Sequence, residues 1–293
     1  MRSLIRIAII VLLVGFLISQ LFAQHGRYER HGRDDNYRHG RYHAITAAEA
    51  DAFSNTYSVI FDGVDDFVDV SDAASLQFGT GSYTMSLWFK TADVAQNAVS
   101  MGRRDLNPEY SLSWMRLTDG AGGAGKKIGV LHYGPTGAGF RFYYVTDANV
   151  VDGGWHHVVC VVNYGTGIVI YIDGSPVAAT DIVGGGVWET SDNNMPLGVG
   201  SSGNGYSPSA ATIDEVAIWN TAMDAEAVTA IYNAGVPIDL ATNSGDYDIT
   251  TNLQMYLRMG DDDAYPNLLD NSTNSNTGVM TNMESGDIVE DTP

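Results

Sequence analysis

The chain has 293 residues, with 15 Lys and Arg against 35 Asp and Glu, and a formal net charge of −20. Residues 1–43 hold 7 of the basic and 3 of the acidic residues, so the remainder carries a charge of −24. A domain this acidic would repel nucleic acid phosphates, which excludes nucleic acid as an expected partner. The single cysteine excludes an intrachain disulfide.

Residues 1–23 have the pattern of an export signal. Arg2 and Arg6 precede the apolar stretch Ile7–Ile18, and Leu21-Phe22-Ala23 offers a cleavage site. The alternative is an uncleaved membrane anchor, for which the apolar run is short because a spanning helix needs about 20 residues. The sequence favours cleavage and an extracellular or cell-surface location. Membrane contact is expected only through residues 1–23, if they are retained.

Residues 24–53 predict a basic linker rich in His and Arg. The tripeptide His-Gly-Arg recurs from positions 25, 31 and 39, and almost no aliphatic side chain is present up to residue 43. Four of the seven histidines lie here, so weak metal binding is an alternative to a solvated linker. Contact with an acidic surface is a third possibility.

The rest of the chain alternates short strand patterns with Gly-rich turns. Ser58–Phe61 and Phe67–Val70 flank a turn at Asp62-Gly63, and Ile168–Ile172 precedes Asp173-Gly174, a dipeptide that favours a tight hairpin. The other main predicted strands are Tyr83–Lys90, Tyr110–Leu117, Lys127–Tyr133, Phe140–Thr146, Val158–Val162, Met195–Val199, Thr212–Trp219 and Leu253–Arg258. Roughly ten or more strands without alternating helices predict an all-β sandwich.

One segment after these strands predicts a helix. Asp224 is a good N-cap, and Gly235 and Pro237 end the segment. Val228 and Ile231 share one helical face, so the helix is expected to dock on the sandwich.

Four motifs in this order carry a family resemblance. They are Asp62-Gly63 with Asp65–Val68, Trp155-His156-His157-Val158, Asp173-Gly174, and Asp214–Val216 with Trp219-Asn220. Together they resemble the laminin-G-like (LamG) branch of the concanavalin A-like lectins and glucanases, over about residues 54–235. The resemblance implies a two-sheet antiparallel jelly roll with one short helix, preceded here by the N-terminal signal or anchor helix. It also implies that Trp155 and Trp219 are buried.

The C-terminus departs from the family pattern. A segment that precedes the first strand in many such domains has its likeness here at Tyr256–Met259 and Asp270–Gly278. Residues 252–293 either close the same sandwich in permuted order or begin a truncated repeat. Closure is favoured, because a lone strand with an Asn-rich and Ser-rich loop cannot bury a core. We therefore expect one jelly roll over residues 54–293.

The resemblance implies one structural Ca²⁺, which needs several oxygen ligands. Carried over to this chain, it would lie between the Asp-Glu-Val strand and the C-terminal Asp/Asn loop. The implied ligands are Asp214, Asp270, Asn274 and Asn276, with Asp62 as a further candidate. The alternative is that Asp62 and Asp270 only cap turns. Asp261-Asp262-Asp263 is interpreted as a solvated turn.

Sugar binding is the usual use of such folds and needs an aromatic ring with polar neighbours, most often on loops. Two loops of this kind are predicted, and for each residue a structural or solvated role is the alternative. The candidates are Trp188, Asp192, Asn193 and Asn194 in one loop, Arg103, Arg104 and Tyr110 in the other, with Trp114 and Tyr206 able to join either.

No catalytic pattern is found in the sequence. The paired carboxylates of E-x-D-x-x-E, a G-x-S-x-G elbow and a phosphate loop are all missing. We therefore predict an exported, calcium-stabilised lectin or adhesion module for a glycan or glycoprotein, without catalytic activity. The alternative is a structural surface, filament or virion component that acts through protein–protein contacts and self-association. A glycoside hydrolase-like enzyme comes third.

Overall fold

The computed structural model describes residues 53–92, 100–104, 112–118, 127–134, 140–145, 150–181, 187–190, 192–201, 203, 205 and 208–293. In these residues seventeen strands form two antiparallel sheets, and one α-helix is present. The predicted all-β class with one short helix is confirmed. The predicted signal or anchor helix and linker lie outside the described residues, and no described helix has the length and hydropathy to span a membrane.

The first sheet carries its longest strands in the centre. Its spatial order is β10 (Ser175–Val177), β9 (Gly167–Ile172), β8 (Trp155–Asn163), β3 (Tyr83–Lys90), β13 (Ala210–Trp219), β1 (Ser58–Asp62) and β17 (Ile288–Val289), and β14 (Leu253–Leu257) also pairs with β13. The Asp173-Gly174 turn joins β9 to β10 as predicted, with Ile172 opposite Ser175 and φ angles of 49° and 72° in the turn. Such positive φ angles are what a two-residue hairpin needs.

The second sheet combines pairs of consecutive strands with pairs that are distant in sequence. Its spatial order is β11 (Ala179–Asp181), β7 (Phe140–Val145), β6 (Lys127–Tyr133), β5 (Leu112–Thr118), β4 (Ser100–Arg104), β12 (Leu197–Val199), β2 (Phe67–Val70), β16 (Gly278–Thr281) and β15 (Asn267–Leu268). The strands on either side of Asp62-Gly63 thus lie in different sheets. This turn is a corner between the sheets, since β1 pairs with β13 and β2 pairs with β12 and β16.

The core lies between the sheets, and a second apolar layer covers the outside of the first sheet. In β8, Val158, Cys160 and Val162 join the inter-sheet core, whereas Val159 and Val161 pack outward. Both faces of β8 are therefore buried, which explains its nearly continuous apolar sequence. Burial also raises the pKa of the Cys160 thiol, so this side chain is a packing residue.

The helix α1 (Ala225–Tyr232) contributes to this outer layer, together with residues from Leu240 to Tyr256. The Asp224 carboxylate accepts a hydrogen bond from the Ala227 nitrogen, and the helix ends at Asn233 in the left-handed conformation. Val228 and Ile231 are buried against the sheet, as predicted. Tyr232 stacks on Trp88 of β3, with ring centroids 5.8 Å apart.

The two family tryptophans differ in burial. Trp219 is fully buried, and its indole donates to the Tyr247 hydroxyl at 3.0 Å. Trp155 is only half-buried, so its predicted burial is wrong. It begins β8 at the rim of the sheet, where its indole donates to Asp291 and Lys90 lies 5.6 Å from its ring.

The C-terminal strands contribute to both sheets. β14 and β17 add to the first sheet, through β13 and β1. β16 adds to the second sheet beside β2, in register from Gly278 opposite Val70 to Thr281 opposite Phe67. β16 and β17 thus pair with the first two strands of the domain, β2 and β1.

Candidate functional site

The five predicted calcium ligands fall into three groups with different contacts. Asp214 lies in β13, at a register shift before Ala217, and is completely buried. Its two carboxylate oxygens accept hydrogen bonds from Asn55 Nδ2 and from the Glu215 nitrogen, both at 2.8 Å. Glu215 is itself 1% exposed, with a φ of 49°. The β-bulge therefore places two consecutive carboxylates in the interior.

Carboxyl groups outnumber cationic groups around Asp214. We define the buried acidic cluster as Asn55, Asp214, Glu215, Arg258 and Asp261. The Arg258 guanidinium lies 3.8 Å from Glu215 and 3.8 Å from Asp261, and it also pairs with the exposed Asp262 at 3.2 Å. The cluster thus has one guanidinium and three carboxyl groups. Burial, followed by the charge of Glu215, raises the pKa of Asp214 well above its usual range. Burial also raises the pKa of Glu215 to about 8.

Two oxygens of this cluster fit a hard cation. Asn55 Oδ1 and Glu215 Oε1 are shielded from solvent and accept no hydrogen bond from any residue that the structure describes. Unpaired buried oxygens are costly. Carboxylate and amide oxygens are the ligands that Ca²⁺ prefers, so the donor set of the cluster is compatible with this ion.

Asp270 lies in the loop after β14, and both of its oxygens are engaged by protein donors. One oxygen accepts from the Tyr256 and Ser272 nitrogens, both at 2.8 Å. The other accepts from the Ser272 hydroxyl at 2.8 Å and the Asn276 nitrogen at 2.6 Å. Asn274 and Asn276 direct their amide nitrogens to backbone carbonyls of β14. This geometry is that of a turn cap, which was the alternative interpretation.

Asp62 belongs to a third group at the corner between β1 and β2. One carboxylate oxygen from each of Asp62, Asp65 and Asp66 lies within 4.8 Å of the others. Asp62 accepts from the Val64 nitrogen at 2.7 Å, and Asp66 accepts from the Asp62 nitrogen at 2.9 Å. Burial raises the pKa of Asp66, whereas Asp62 and Asp65 are exposed.

The prediction of a solvated turn at residues 261–263 is wrong for two of the three aspartates. Asp261 is 6% exposed, and its carboxylate accepts from the Thr56 and Tyr57 nitrogens. Asp263 accepts from the Gly260 and Leu269 nitrogens, and burial raises its pKa. Asp261 thus holds the first residues of the domain against the C-terminal segment, a long-range contact without a local sequence signal, whereas Asp263 stabilises its own turn.

Trp188 belongs to an aromatic cluster at the end of the sandwich. We define the aromatic cluster as Trp188, Tyr164 and His132. The Trp188 ring lies 5.1 Å from the ring of His132 and 5.6 Å from that of Tyr164. The Tyr164 hydroxyl donates to the Trp188 carbonyl at 2.9 Å, and His132 is hydrogen-bonded to the Glu189 carbonyl at 2.7 Å. Trp188 is half-buried, and it packs against the inter-sheet core as well as against these two rings.

The polar neighbours of Trp188 mainly hold their own loop. The Asp192 carboxylate accepts from the Gly79 nitrogen, and the Asn193 side chain accepts from the Met195 nitrogen. Asn194 is exposed.

The second predicted ligand loop is not a loop where the structure describes it. Arg103 and Arg104 lie in β4, and Trp114 lies in β5 opposite Gly102. Arg103 is 4% exposed, and its guanidinium donates to Asp72 and to three backbone carbonyls. The prediction that Arg103 binds a ligand is therefore wrong, because its guanidinium is buried and holds neighbouring segments together. The predictions for Tyr110 and Tyr206 lie outside the described residues.

Sequence reasoning missed Asn55, Glu215 and Arg258 in the buried acidic cluster. Glu215 follows Asp214 in a strand, and two adjacent strand residues normally point to opposite faces. The β-bulge in β13 breaks this alternation, so that both side chains point into the interior. Arg258 reaches the cluster because β14 lies beside β13, a pairing between residues about forty positions apart.

A family profile described as "Concanavalin A-like lectin/glucanases superfamily" matches residues 62–229. A search of curated proteins found no significant match. A Bacteroides ovatus structure described as a "putative carbohydrate binding protein" is similar, with a TM-score of 0.58 and 19% identity over 82% of this chain. This chain spans 60% of that protein.

Two further structures show weaker likeness. Domains LG4-5 of the mouse laminin alpha1 chain match with a TM-score of 0.42 and 15% identity, over 59% of this chain and 44% of theirs. The CBM40 module of the Ruminococcus gnavus IT-sialidase matches with a TM-score of 0.43 and 11% identity, over 61% of this chain and 99% of the module. The family profile confirms the resemblance carried by the four sequence motifs. The chain belongs to the concanavalin A-like lectin/glucanases superfamily.

Proposed function

We propose that the domain is an exported carbohydrate-binding module that acts without a catalytic step. The proposal is supported by membership of the superfamily and by the Bacteroides ovatus protein, whose description is that of a carbohydrate-binding protein. The observation that carries it on this chain is the aromatic cluster. Trp188 is half-buried and is held in place by the Tyr164 hydroxyl, while His132 is hydrogen-bonded to the carbonyl of the next residue, Glu189. Its indole would therefore give a rigid apolar surface for a sugar ring.

Polar groups beside that ring would bind sugar hydroxyls. Asn194 is exposed, and Glu189 and Asp192 lie in the same segment as Trp188. Rigid aromatic residues carry much of the binding energy at recognition surfaces, because little conformational entropy is lost when they bind. We therefore propose that the glycan binds at residues 187–190 and 192–194, with Trp188 as its main contact.

Replacing Trp188 with Ala is expected to weaken glycan binding about 30-fold, which corresponds to the roughly 2 kcal/mol of a dominant binding residue. The measurement is a glycan array followed by titration calorimetry with the best ligand. Trp155→Phe is the matched control, because Trp155 is half-buried at the rim of the first sheet and packs with Lys90. Equal affinity of the Trp188→Ala variant and the unchanged protein would exclude this surface.

We also propose that Ca²⁺ binds at the buried acidic cluster and stabilises the fold. Asp214 and the unpaired Oδ1 of Asn55 would hold the ion, with Asp261 or Glu215 adding carboxylate oxygens. A divalent cation would offset the excess of carboxylates over the single Arg258 guanidinium. Asp270, Asn274 and Asn276 remain predicted ligands, but their hydrogen bonds support the turn-capping alternative.

Thermal unfolding in excess Ca²⁺ and in EDTA tests this site. A ligand present at 100 times its Kd adds about 2.7 kcal/mol to the free energy of unfolding, so Tm is expected to rise by several degrees in Ca²⁺. Asp214→Asn is expected to remove most of that rise. Asp270→Asn is the control, and as a turn cap it should lower Tm equally in both buffers. A rise that survives Asp214→Asn but not Asp270→Asn would move the ion to the C-terminal loop.

A further inference from the structure

A second half-buried aromatic ring lies beside the proposed glycan surface. Phe78 follows the short 3-10 helix Ala74–Leu76 and packs against the inter-sheet core, as Trp188 does. One face of the Phe78 ring stacks on the buried ring of Tyr83, with centroids 4.8 Å apart and an angle of 17° between the planes. Phe78 is therefore held by its covered face, and the part of its side chain that remains exposed is apolar.

Buried rings connect Phe78 to Trp188. The Tyr83 hydroxyl is hydrogen-bonded to Nδ1 of His132 at 3.1 Å, and the rings of His132 and Trp188 are 5.1 Å apart. Among the residues that the structure describes, no ring contact joins Phe78 directly to Trp188. The two half-buried rings therefore offer separate stacking positions on one buried support.

Hydrogen bonds also join the two segments that carry these rings. The Gly79 nitrogen donates to both carboxylate oxygens of Asp192, at 2.9 and 3.0 Å. The Arg103 guanidinium donates to the carbonyls of Leu76 in one segment and Asn193 in the other. The segments are thus fixed relative to each other, and the two aromatic rings belong to one surface.

The charge of this surface favours a neutral ligand. Asp72, Glu189 and Asp192 carry carboxyl groups, whereas Arg103 is 4% exposed and donates to Asp72 and to backbone carbonyls. Among the described side chains named here, carboxyl groups outnumber the guanidinium, and that guanidinium is already bound. An acidic sugar would therefore be repelled from this surface.

We propose that this surface binds a neutral oligosaccharide, with one sugar ring on Trp188 and another on Phe78. The inference rests on the proposed function and adds the ligand class, a neutral chain of at least two sugars. Thr80 and Asn194, one beside each ring in sequence, are exposed polar residues that would bind sugar hydroxyls. Because the second sugar is tethered to the first, its contact with Phe78 adds affinity at a high effective concentration.

Chain length and charge of the glycan provide the first test. The full chain is titrated by calorimetry with oligosaccharides of glucose, xylose, mannose and galactose, from the monosaccharide to the tetrasaccharide, and with oligogalacturonate as the acidic counterpart. The tetrasaccharide of the preferred neutral sugar is expected to bind at least about tenfold more tightly than its monosaccharide. Equal affinity at all lengths, or a preference for oligogalacturonate, would overturn the inference and leave the proposed function standing.

Replacing Phe78 with Leu removes the flat ring but keeps an apolar side chain to pack on the core. The variant is expected to bind the tetrasaccharide about tenfold more weakly and the monosaccharide with unchanged affinity. Phe78→Tyr retains the ring and should keep the preference for the longer glycan. Phe67→Leu is the matched control, because it makes the same change at a half-buried position in β2 and should leave both affinities unchanged. Thermal unfolding of each variant checks that the fold is retained.

Trp188→Ala distinguishes this inference from the proposed function. It should weaken the binding of glycans of every length, whereas Phe78→Leu should weaken only that of the longer ones. An equal loss at all lengths in Phe78→Leu would overturn the inference but not the proposed function. If none of these glycans bound to the unchanged protein, both would be overturned.

Discussion

Replacing Arg258 with Met is expected to lower the free energy of unfolding by about 3–5 kcal/mol in the absence of divalent cations, the usual cost of breaking a buried ion pair by removing one partner. Arg258 is the cation that faces Glu215 and Asp261 across 3.8 Å, and its side chain is 11% exposed. Its guanidinium also donates to the Ser54 carbonyl and lies 4.7 Å from the ring of Phe53. Its loss would leave buried carboxylates without compensation.

Chemical denaturation in EDTA measures this change, and Lys90→Met is the matched control. Lys90 also pairs with an aspartate, Asp291, but both side chains are partly exposed, so this pair is expected to contribute about 1 kcal/mol or less. If Arg258→Met cost no more than Lys90→Met, the carboxylates of the cluster would not depend on Arg258 for their charge balance.

The result also bears on Ca²⁺. An ion at the buried acidic cluster would partly replace the lost guanidinium charge, so the cost of Arg258→Met should be smaller in Ca²⁺ than in EDTA. Removing Arg258 thus tests whether Ca²⁺ binds near Glu215 and Asp261, the carboxyl groups of the cluster that Arg258 faces. An identical cost in the two buffers would indicate that Ca²⁺ does not bind beside Arg258.

Local sequence signals predicted the elements whose geometry depends on neighbouring residues. The Asp173-Gly174 hairpin needs only two residues with positive φ, and α1 needs only its Asp224 cap and an apolar face. The same dipeptide chemistry at Asp62-Gly63 gave a corner between sheets instead of a hairpin. That outcome depends on which strands β1 and β2 pair with, and those partners lie more than 100 residues away in β12 and β13.

Site residues were harder to predict because their roles depend on distant contacts. Arg103 has the composition of a surface loop residue, yet its guanidinium is buried by carbonyls from Leu76, Met195 and Asn193. Trp188 was predicted as a ligand residue from its loop context alone. Its fixed position results from Tyr164 and His132, which are supplied by other segments of the sandwich.

Acidification is expected to destabilise the domain through His157, by about 3 kcal/mol between pH 6.5 and pH 4. Burial lowers the pKa of His157 from 6.5 to about 3 in the folded state. Between these values the unfolded chain binds a proton that the folded protein does not, so stability falls as pH falls below 6.5. Each pKa unit corresponds to about 1.4 kcal/mol. The ring is buried beside Trp88 and Tyr232, with centroids 4.7 Å and 6.1 Å away, where a charge would be strongly disfavoured.

The groups that face His157 do not offset this effect. Its Nε2 shares a 2.8 Å hydrogen bond with the Ser86 hydroxyl, and its Nδ1 has no partner among the described residues. The Asp173 carboxylate accepts from the His157 backbone nitrogen and favours the charged ring only weakly. Glu215 lines the same small cavity as the ring. A proton on His157 would therefore remain largely uncompensated.

Urea unfolding of His157→Phe at pH 7, 5.5 and 4 tests this expectation. The variant loses the Ser86 hydrogen bond and should be less stable than the unchanged protein at pH 7, but the difference should shrink by about 3 kcal/mol at pH 4. His156→Gln is the control, because His156 is expected to have the opposite pH dependence. Hydrogen bonds to Asp173 and Asp152 raise the pKa of His156, so this histidine stabilises the fold at low pH, and that stabilisation is lost as pH rises through its pKa. A parallel pH dependence of the unchanged protein and His157→Phe would show that other groups control the acid sensitivity of the fold.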